Sequence, residues 1–167
     1  LGLTQFSIDL ITPYLPVGSV CELGAQQLYG NSNYGQFADI FYKAVGVKKY
    51  DCIDLNRWND AMDYDLSVLL PDTLQQYDMV TDFGTSEHVT KLDVCWQNKV
   101  KLCKSGGLII SENPKVGSWA GHGFHYMTIE KVKEIGAKLN LTLIDIGETA
   151  AMGNYTDGWN IWSVFRK

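Results

Sequence analysis

The segment YDMVTDFGTSEHV, Tyr77 to Val89, starts as a strand and ends as a polar turn. Met79, Val80 and Phe83 leave little alternation, so Tyr77 to Phe83 reads as a strand buried on both faces. Gly84 stops it. Thr85, Ser86, Glu87 and His88 follow. The next stretch, HVTKLDVCWQNKVKLC, sets Val89, Leu92, Cys95, Trp96 and Val100 on one face of a helix. Glu87 at that helix's start suits the positive end of its dipole. Strand, polar turn and helix in that order form the repeating unit of an α/β sheet.

The unit recurs on both sides. Upstream, TQFSIDLITPYL spaces Phe6, Leu10, Ile11 and Tyr14 as a helix, and Ser19 to Leu23 is a short strand. YGQFADIFYKAV is an amphipathic helix with Phe37, Ile40, Phe41 and Ala44 inward, and Gly46 suits its C-cap. KYDCIDL is a second strand, and AMDYDLS carries a weaker third. Downstream, Ser105-Gly106-Gly107 stops the central helix, LIISE is a buried parallel strand, and TIEKVKEIGAKLN is a helix capped by Thr128. LTLIDIG and NIWSVFRK are closing strands. No helix of ordinary length fits between Glu148 and Trp159, so these two form an antiparallel pair at one edge. Trp159 and Trp162 read as buried strand residues, more simply than as a contact surface in DGWNIWSVF.

At 167 residues and 46% hydrophobic content, the chain is sized for one globular domain, residues 1–167, with ample material for a core. It opens at Leu1 rather than Met, which reads as a trimmed or incomplete start. No apolar run is long enough to span a membrane, and no signal peptide is visible. The net charge is −5, and no basic run exceeds Lys48-Lys49. Nucleic-acid binding draws on clustered cations, so neither nucleic acid nor membrane is expected as a partner. Cys21, Cys52, Cys95 and Cys103 contain no C-x-x-C pair and read as reduced core thiols, which points to the cytoplasm.

In an open parallel sheet, ligands sit beyond the carboxyl ends of the strands. Glu22, Gly24, Ala25, Gln26 and Gln27 follow the first strand, in VCELGAQQLYG; Asp54 and Asn56 follow the second, and Asp65 the third. Asp82 and the Thr85–His88 turn follow the fourth, and Glu112 and Asn113 the fifth. A carboxylate at Asp54 can accept from both hydroxyls of a ribose. In a dinucleotide site that acid stands about 20 residues past the glycine loop; here 30 positions separate Gly24 from Asp54, and the excess falls in LYGNSNYGQ. His122 and His125 form an H-x-x-H in GSWAGHGFHYM. With Glu87 or Glu112 they offer metal ligands, but not a compact set, and no metal is expected.

In order along the chain, VCELGA, YDCIDL, YDMVTDFGTSEHV, CKSGGLIISENP and GFHYMTIEKVKEIGAKLNLTLIDIG resemble the motifs of the class I S-adenosylmethionine-dependent methyltransferases, small-molecule type. The resemblance runs from Pro16 to Lys167. It implies a Rossmann-like, three-layer α/β domain whose mostly parallel seven-stranded sheet has the order 3-2-1-4-5-7-6, the last strand antiparallel. It implies S-adenosylmethionine as cofactor and a small-molecule methyl acceptor with an oxygen or nitrogen nucleophile. Glu22 and Gly24 then border the methionine, with the Ala25 and Gln26 backbone close by. Asp54 holds the ribose, with Leu55 next to it. Asp65 accepts from the adenine amino group, Leu66 lies beside the ring, and Asp82 and Phe83 meet the cofactor near the sulfonium.

Methyl transfer from a sulfonium needs alignment more than activation, though a hydroxyl or amine acceptor can call for a base. His122 and His125 rank first as substrate contacts, ahead of His88. The later glycines of the loop motif are absent around Ala25 and Gln27. That departure is tolerable for a ligand without a pyrophosphate, and it counts against an NAD-dependent oxidoreductase, which needs G-x-G-x-x-G. It leaves open a protein that binds the cofactor but transfers nothing.

Overall fold

In the computed structural model, residues 2–29, 35–150 and 158–167 are described. Part of the insertion read in LYGNSNYGQ, and residues 151–157 of the Glu148–Trp159 connection, lie outside them. The strands of the main sheet are β1 (Ser19–Leu23), β2 (Lys49–Ile53), β3 (Tyr77–Phe83), β4 (Cys103–Pro114), β5 (Thr142–Ala150) and β6 (Trp159–Arg166). They lie side by side in the order β2-β1-β3-β4-β6-β5. β1 to β4 are mutually parallel, whereas β6 runs antiparallel to both of its neighbours. Helices α1 (Gln5–Ile11), α2 (Asp39–Ala44), α3 (Leu92–Leu102) and α4 (Ile129–Lys138) cover the sheet.

Adjacent residues of one strand point to opposite faces, and the core divides accordingly. Cys21, Val80, Ile109 and Phe165 pack with Trp96 of α3 and Val132 of α4. Val20, Met79, Ile110 and Val164 pack on the other face with Ile11 of α1 and Tyr42 of α2. All five residues of β1 are buried. Helix α4 starts where Thr128 was expected to cap it: the Thr128 side chain accepts from the Lys131 N–H at 3.1 Å.

Several expectations are corrected. Among the described residues the sheet has six strands rather than seven, because AMDYDLS contributes only a single bridge from Met62 to Ile53. Asn98 of α3 takes the backbone groups a strand would use: its Nδ2 donates to Leu66 O (3.1 Å) and Val68 O (2.9 Å), and its Oδ1 accepts from Leu70 N (2.9 Å). Asp65 accepts from Ser67 N at 2.7 Å, a local turn that competes with a ladder.

The inward face of α2 is Ala38 and Tyr42, not Ile40 and Ala44, which are exposed. The Tyr42 ring stacks on Tyr50 and turns the helix that way. Helix α3 begins at Leu92, after a 3-10 turn over Ser86–His88, and β4 follows it directly, so Ser105–Gly107 lies within the strand. Trp159 is exposed and Trp162 half-buried, since β6 faces solvent near its start.

Candidate active site

Parallel pairing aligns the carboxyl ends of β1, β2 and β3, setting Leu23 beside Ile53 and Asp82. The chain leaves β1 through Gly24, whose φ of +79° favours glycine. A Cβ there would stand 2.4 Å from Thr85 Oγ1 and 2.6 Å from Gln26 Nε2, so a side chain at this point would have to displace both. Gln26 folds back under the loop, its Nε2 donating to Leu23 O (3.0 Å) and Thr85 Oγ1 (2.8 Å). Its Oε1 is buried without a hydrogen-bond partner among the described residues. Asp54 ties two loops together, Oδ2 accepting from Ala25 N at 3.0 Å and Oδ1 from Asn56 N at 2.9 Å.

These loops enclose a cleft of about 600 Å³. Gly24, Ala25, Gln26, Asp54, Leu55, Asp65 and Leu66, all expected at a ligand, line it together. Gln27 and Thr85, placed at the rim by the sequence, line it as well, and so do Trp58, Tyr64 and Val89, which the sequence did not single out as ligand contacts. Trp58 is the one with a readable signal, a large aromatic a few positions past Asp54.

Glu22, Asp82 and Phe83 do not line the cleft. Phe83 is in the core below it. Glu22 is fully buried beneath Tyr50, whose hydroxyl donates to Oε2 at 2.6 Å, with the Tyr42 hydroxyl 3.4 Å from Oε1. Burial raises its pKa to about 8, against the opposing pull of those hydroxyls. Asp82 is also fully buried but stays charged. Burial works against it, yet Lys99 and donors from the Thr85–Ser86 turn hold it below the usual carboxylate range. Lys99 Nζ lies 2.5 Å from Asp82 Oδ2 and 3.1 Å from Ser111 Oγ, over the Trp96 ring. This buried lysine was missed, although it stands one helical turn past Cys95 on the apolar face.

The histidines separate. His88 lines the cleft. The His122 ring stands against it, centroids 5.0 Å apart. His125 instead donates from Nε2 to Val89 O at 2.9 Å, so its ring holds the loop. Burial lowers the pKa of His88, with the neighbouring His122 charge adding to it, and burial also lowers that of His122. Glu87 is buried and its pKa is raised to about 8, first by burial and then by the charge of Asp82. Glu112, the other acid considered with the histidines, is spent on Ser7 and Asn160, each at 2.8 Å.

No family model matches the chain, and no curated protein matches it by sequence. Solved structures do match in shape. The N-methyltransferase NodS from Bradyrhizobium japonicum WM9 superposes with a TM-score of 0.65 at 14% identity, over 96% of this chain and 91% of that one. The 1,6-didemethyltoxoflavin-N1-methyltransferase of Burkholderia thailandensis, solved with 1,6-didemethyltoxoflavin and S-adenosylhomocysteine, gives 0.68 at 14% identity, over 95% and 75%. The chain has the class I S-adenosylmethionine-dependent methyltransferase fold. Numbered as in that seven-stranded fold, the observed order is 2-1-4-5-7-6, with strand 3 reduced to the Met62 bridge. The [4+2]-cyclase SpnF is similar too, with a TM-score of 0.59 at 13% identity over 95% and 78%. The methyltransferase fold alone therefore does not name a reaction. No helix among the described residues is long and apolar enough to cross a membrane.

Proposed function

We propose that this protein binds S-adenosylmethionine in the cleft and transfers its methyl group to an oxygen or nitrogen of a small molecule. The observation that carries the reading is Asp54, a carboxylate on the cleft wall at the end of β2. Each of its oxygens accepts one backbone N–H and keeps capacity for a ribose hydroxyl.

The residues fit the cofactor in other ways. The cleft falls within the range of small-molecule sites, about 300–1,000 Å³. Among the described residues its lining holds Asp54 and Asp65 but no lysine or arginine. That suits a ligand carrying a sulfonium and an ammonium and disfavours a pyrophosphate, which argues against NAD. Asp65 and Leu66 share the lining, and in this reading Asp65 accepts from the adenine amino group while Leu66 offers the ring an apolar neighbour. Gln26 Oε1 is an unspent acceptor under the loop.

When bound, the cofactor supplies an activated methyl group on sulfur. The chain's own part is to exclude water and align the acceptor. His88, on the cleft wall and held neutral, is the side chain that meets the acceptor and can take its proton. Four free, buried cysteines support a reducing compartment, the cytoplasm.

A second reading, cofactor binding without transfer, rests on Gln26, whose side chain braces the loop at a position where the family motif is glycine-rich. The test is a thermal-shift titration followed by turnover with a panel of small hydroxyl and amine acceptors. S-adenosylmethionine and S-adenosylhomocysteine raise the melting temperature, NAD does not, and Asp54→Ala weakens the response about tenfold or more. A response to NAD alone overturns the reading. Binding without turnover across the panel favours the second one.

A further inference from the structure

We propose that Glu87, His88 and His122 bind a divalent first-row transition cation of the zinc type. The three side chains converge from two separate segments. Glu87 Oε1 lies 3.8 Å from His88 Nε2 and 3.8 Å from His122 Nε2, and all three ligand atoms are within 4.8 Å of one another.

The decisive feature is the oxygen. Glu87 is fully buried, yet Oε1 has no hydrogen-bond partner among the described residues. Both imidazole nitrogens face it from beyond hydrogen-bonding reach. A buried acceptor left in that state is costly, and a cation seated between the three atoms removes the cost. Two ligands bonded to one zinc-type cation at roughly 2.1 Å are separated by at most about 4.2 Å. The two Glu87–histidine separations already fall below that. Two imidazoles and one carboxylate suit first-row transition ions better than magnesium or calcium, and they leave coordination positions open.

The surroundings hold the ligands in place. The other Glu87 oxygen, Oε2, accepts from Asn113 Nδ2 at 3.1 Å, which orients the carboxylate from behind. The loop carrying His122 is pinned to Glu87 itself, since Phe124 N and His125 N donate to its carbonyl at 2.8 and 3.2 Å. Gly123 permits that approach, because a Cβ there would stand 2.8 Å from the same carbonyl oxygen. On the loop, His122 N donates to Trp119 O at 2.9 Å. His88 also lines the cleft, so a cation held here meets an acceptor in place of the bare ring.

The experiment titrates chelator-treated full chain with Zn²⁺ by calorimetry and with Co²⁺ by visible absorption, in the absence of any other ligand. The expected result is one equivalent bound at micromolar affinity or tighter. The Co²⁺ spectrum should be of nitrogen and oxygen ligation, without a thiolate charge-transfer band. Glu87→Gln and His122→Asn each weaken binding at least tenfold. His122→Asn, at a half-exposed loop position, carries the test if Glu87→Gln does not fold. No uptake by the parent protein, as a water bridging the same atoms would give, overturns the proposal. So does uptake that His122→Asn leaves unchanged, or a thiolate band. Because the titration uses no S-adenosylmethionine, its outcome is independent of the methyl-transfer reading.

Discussion

Glu22 and Glu87 stand in neighbouring parts of the same sheet rim, and both are fully buried. Both are pushed to about 8, mainly by burial. They differ in what surrounds them. Glu22 is closed in by hydroxyls, with Tyr50 at 2.6 Å and Tyr42 at 3.4 Å. Glu87 has one oxygen on Asn113 and the other unpartnered, aimed between two histidines at the edge of the cleft. The contrast shows that burial and a perturbed pKa do not by themselves mark a ligand site. What sets Glu87 apart is its unmet oxygen, which lies 3.8 Å from two imidazole nitrogens.

The comparison can be pressed hardest with a third acid. Asp82 is as buried as either glutamate but keeps its charge through Lys99. Lys99→Met removes that countercharge and is expected to cost about 3–5 kcal/mol, measured by urea unfolding at neutral pH. A loss under 1 kcal/mol would mean that Asp82 takes up a proton as readily as its two neighbours.

Glu22 gives the next largest effect, one that appears in pH dependence. Its folded pKa, about 8, lies above the ordinary 4.5, so between those values the native state binds more proton than the unfolded chain. Stability from this group is therefore full below about pH 4.5 and falls as pH rises toward 8. Glu22→Gln is expected to flatten the decline by up to about 1.4 kcal/mol per pH unit across that window. Unfolding curves at pH 6, 7 and 8 check it, and parallel slopes for both proteins would refute it.

The smallest effect is expected at Glu87. In metal-free protein near pH 4, where the Glu87 carboxyl is protonated in the folded and unfolded chain alike, Glu87→Gln keeps the side-chain volume and an oxygen for Asn113, and Oε1 has no partner to lose. The change in unfolding free energy should stay within about 1 kcal/mol. A larger loss would place Glu87 with Glu22, as a group whose bonds hold the fold.

Much of the architecture was legible because it depends on local pattern. Continuous burial in Ser19–Leu23 and Tyr77–Phe83 follows from runs of apolar residues, and Thr128 caps α4 through a side chain three residues from its donor. Gly24, Asp54 and Asp65 were legible for the same reason, since each follows a strand or near-strand and strand ends gather at one rim. AMDYDLS misled because its end is spent elsewhere: Asp65 closes a local turn onto Ser67 N, and Asn98, more than thirty positions away, takes the Leu66 carbonyl and the backbone just past it. Position relative to a strand also said nothing about depth. It gave Glu22 and Asp82 the same standing as Asp54, although Tyr50 and Lys99 reach over from other elements and seal them in. The histidines show the same limit: H-x-x-H paired His122 with His125, whereas the fold pairs His122 with His88.

By itself, then, the sequence determined the alternation of strands and helices, the two-sided burial of the sheet and the polar rim, all of which follow from spacing of a few residues along one chain segment. Only the tertiary structure decided which rim carboxylates open to the cleft, which are closed behind it, and that Glu87 meets two histidines. Those outcomes depend on side chains far apart in sequence arriving within a few ångströms, and no local period encodes that distance.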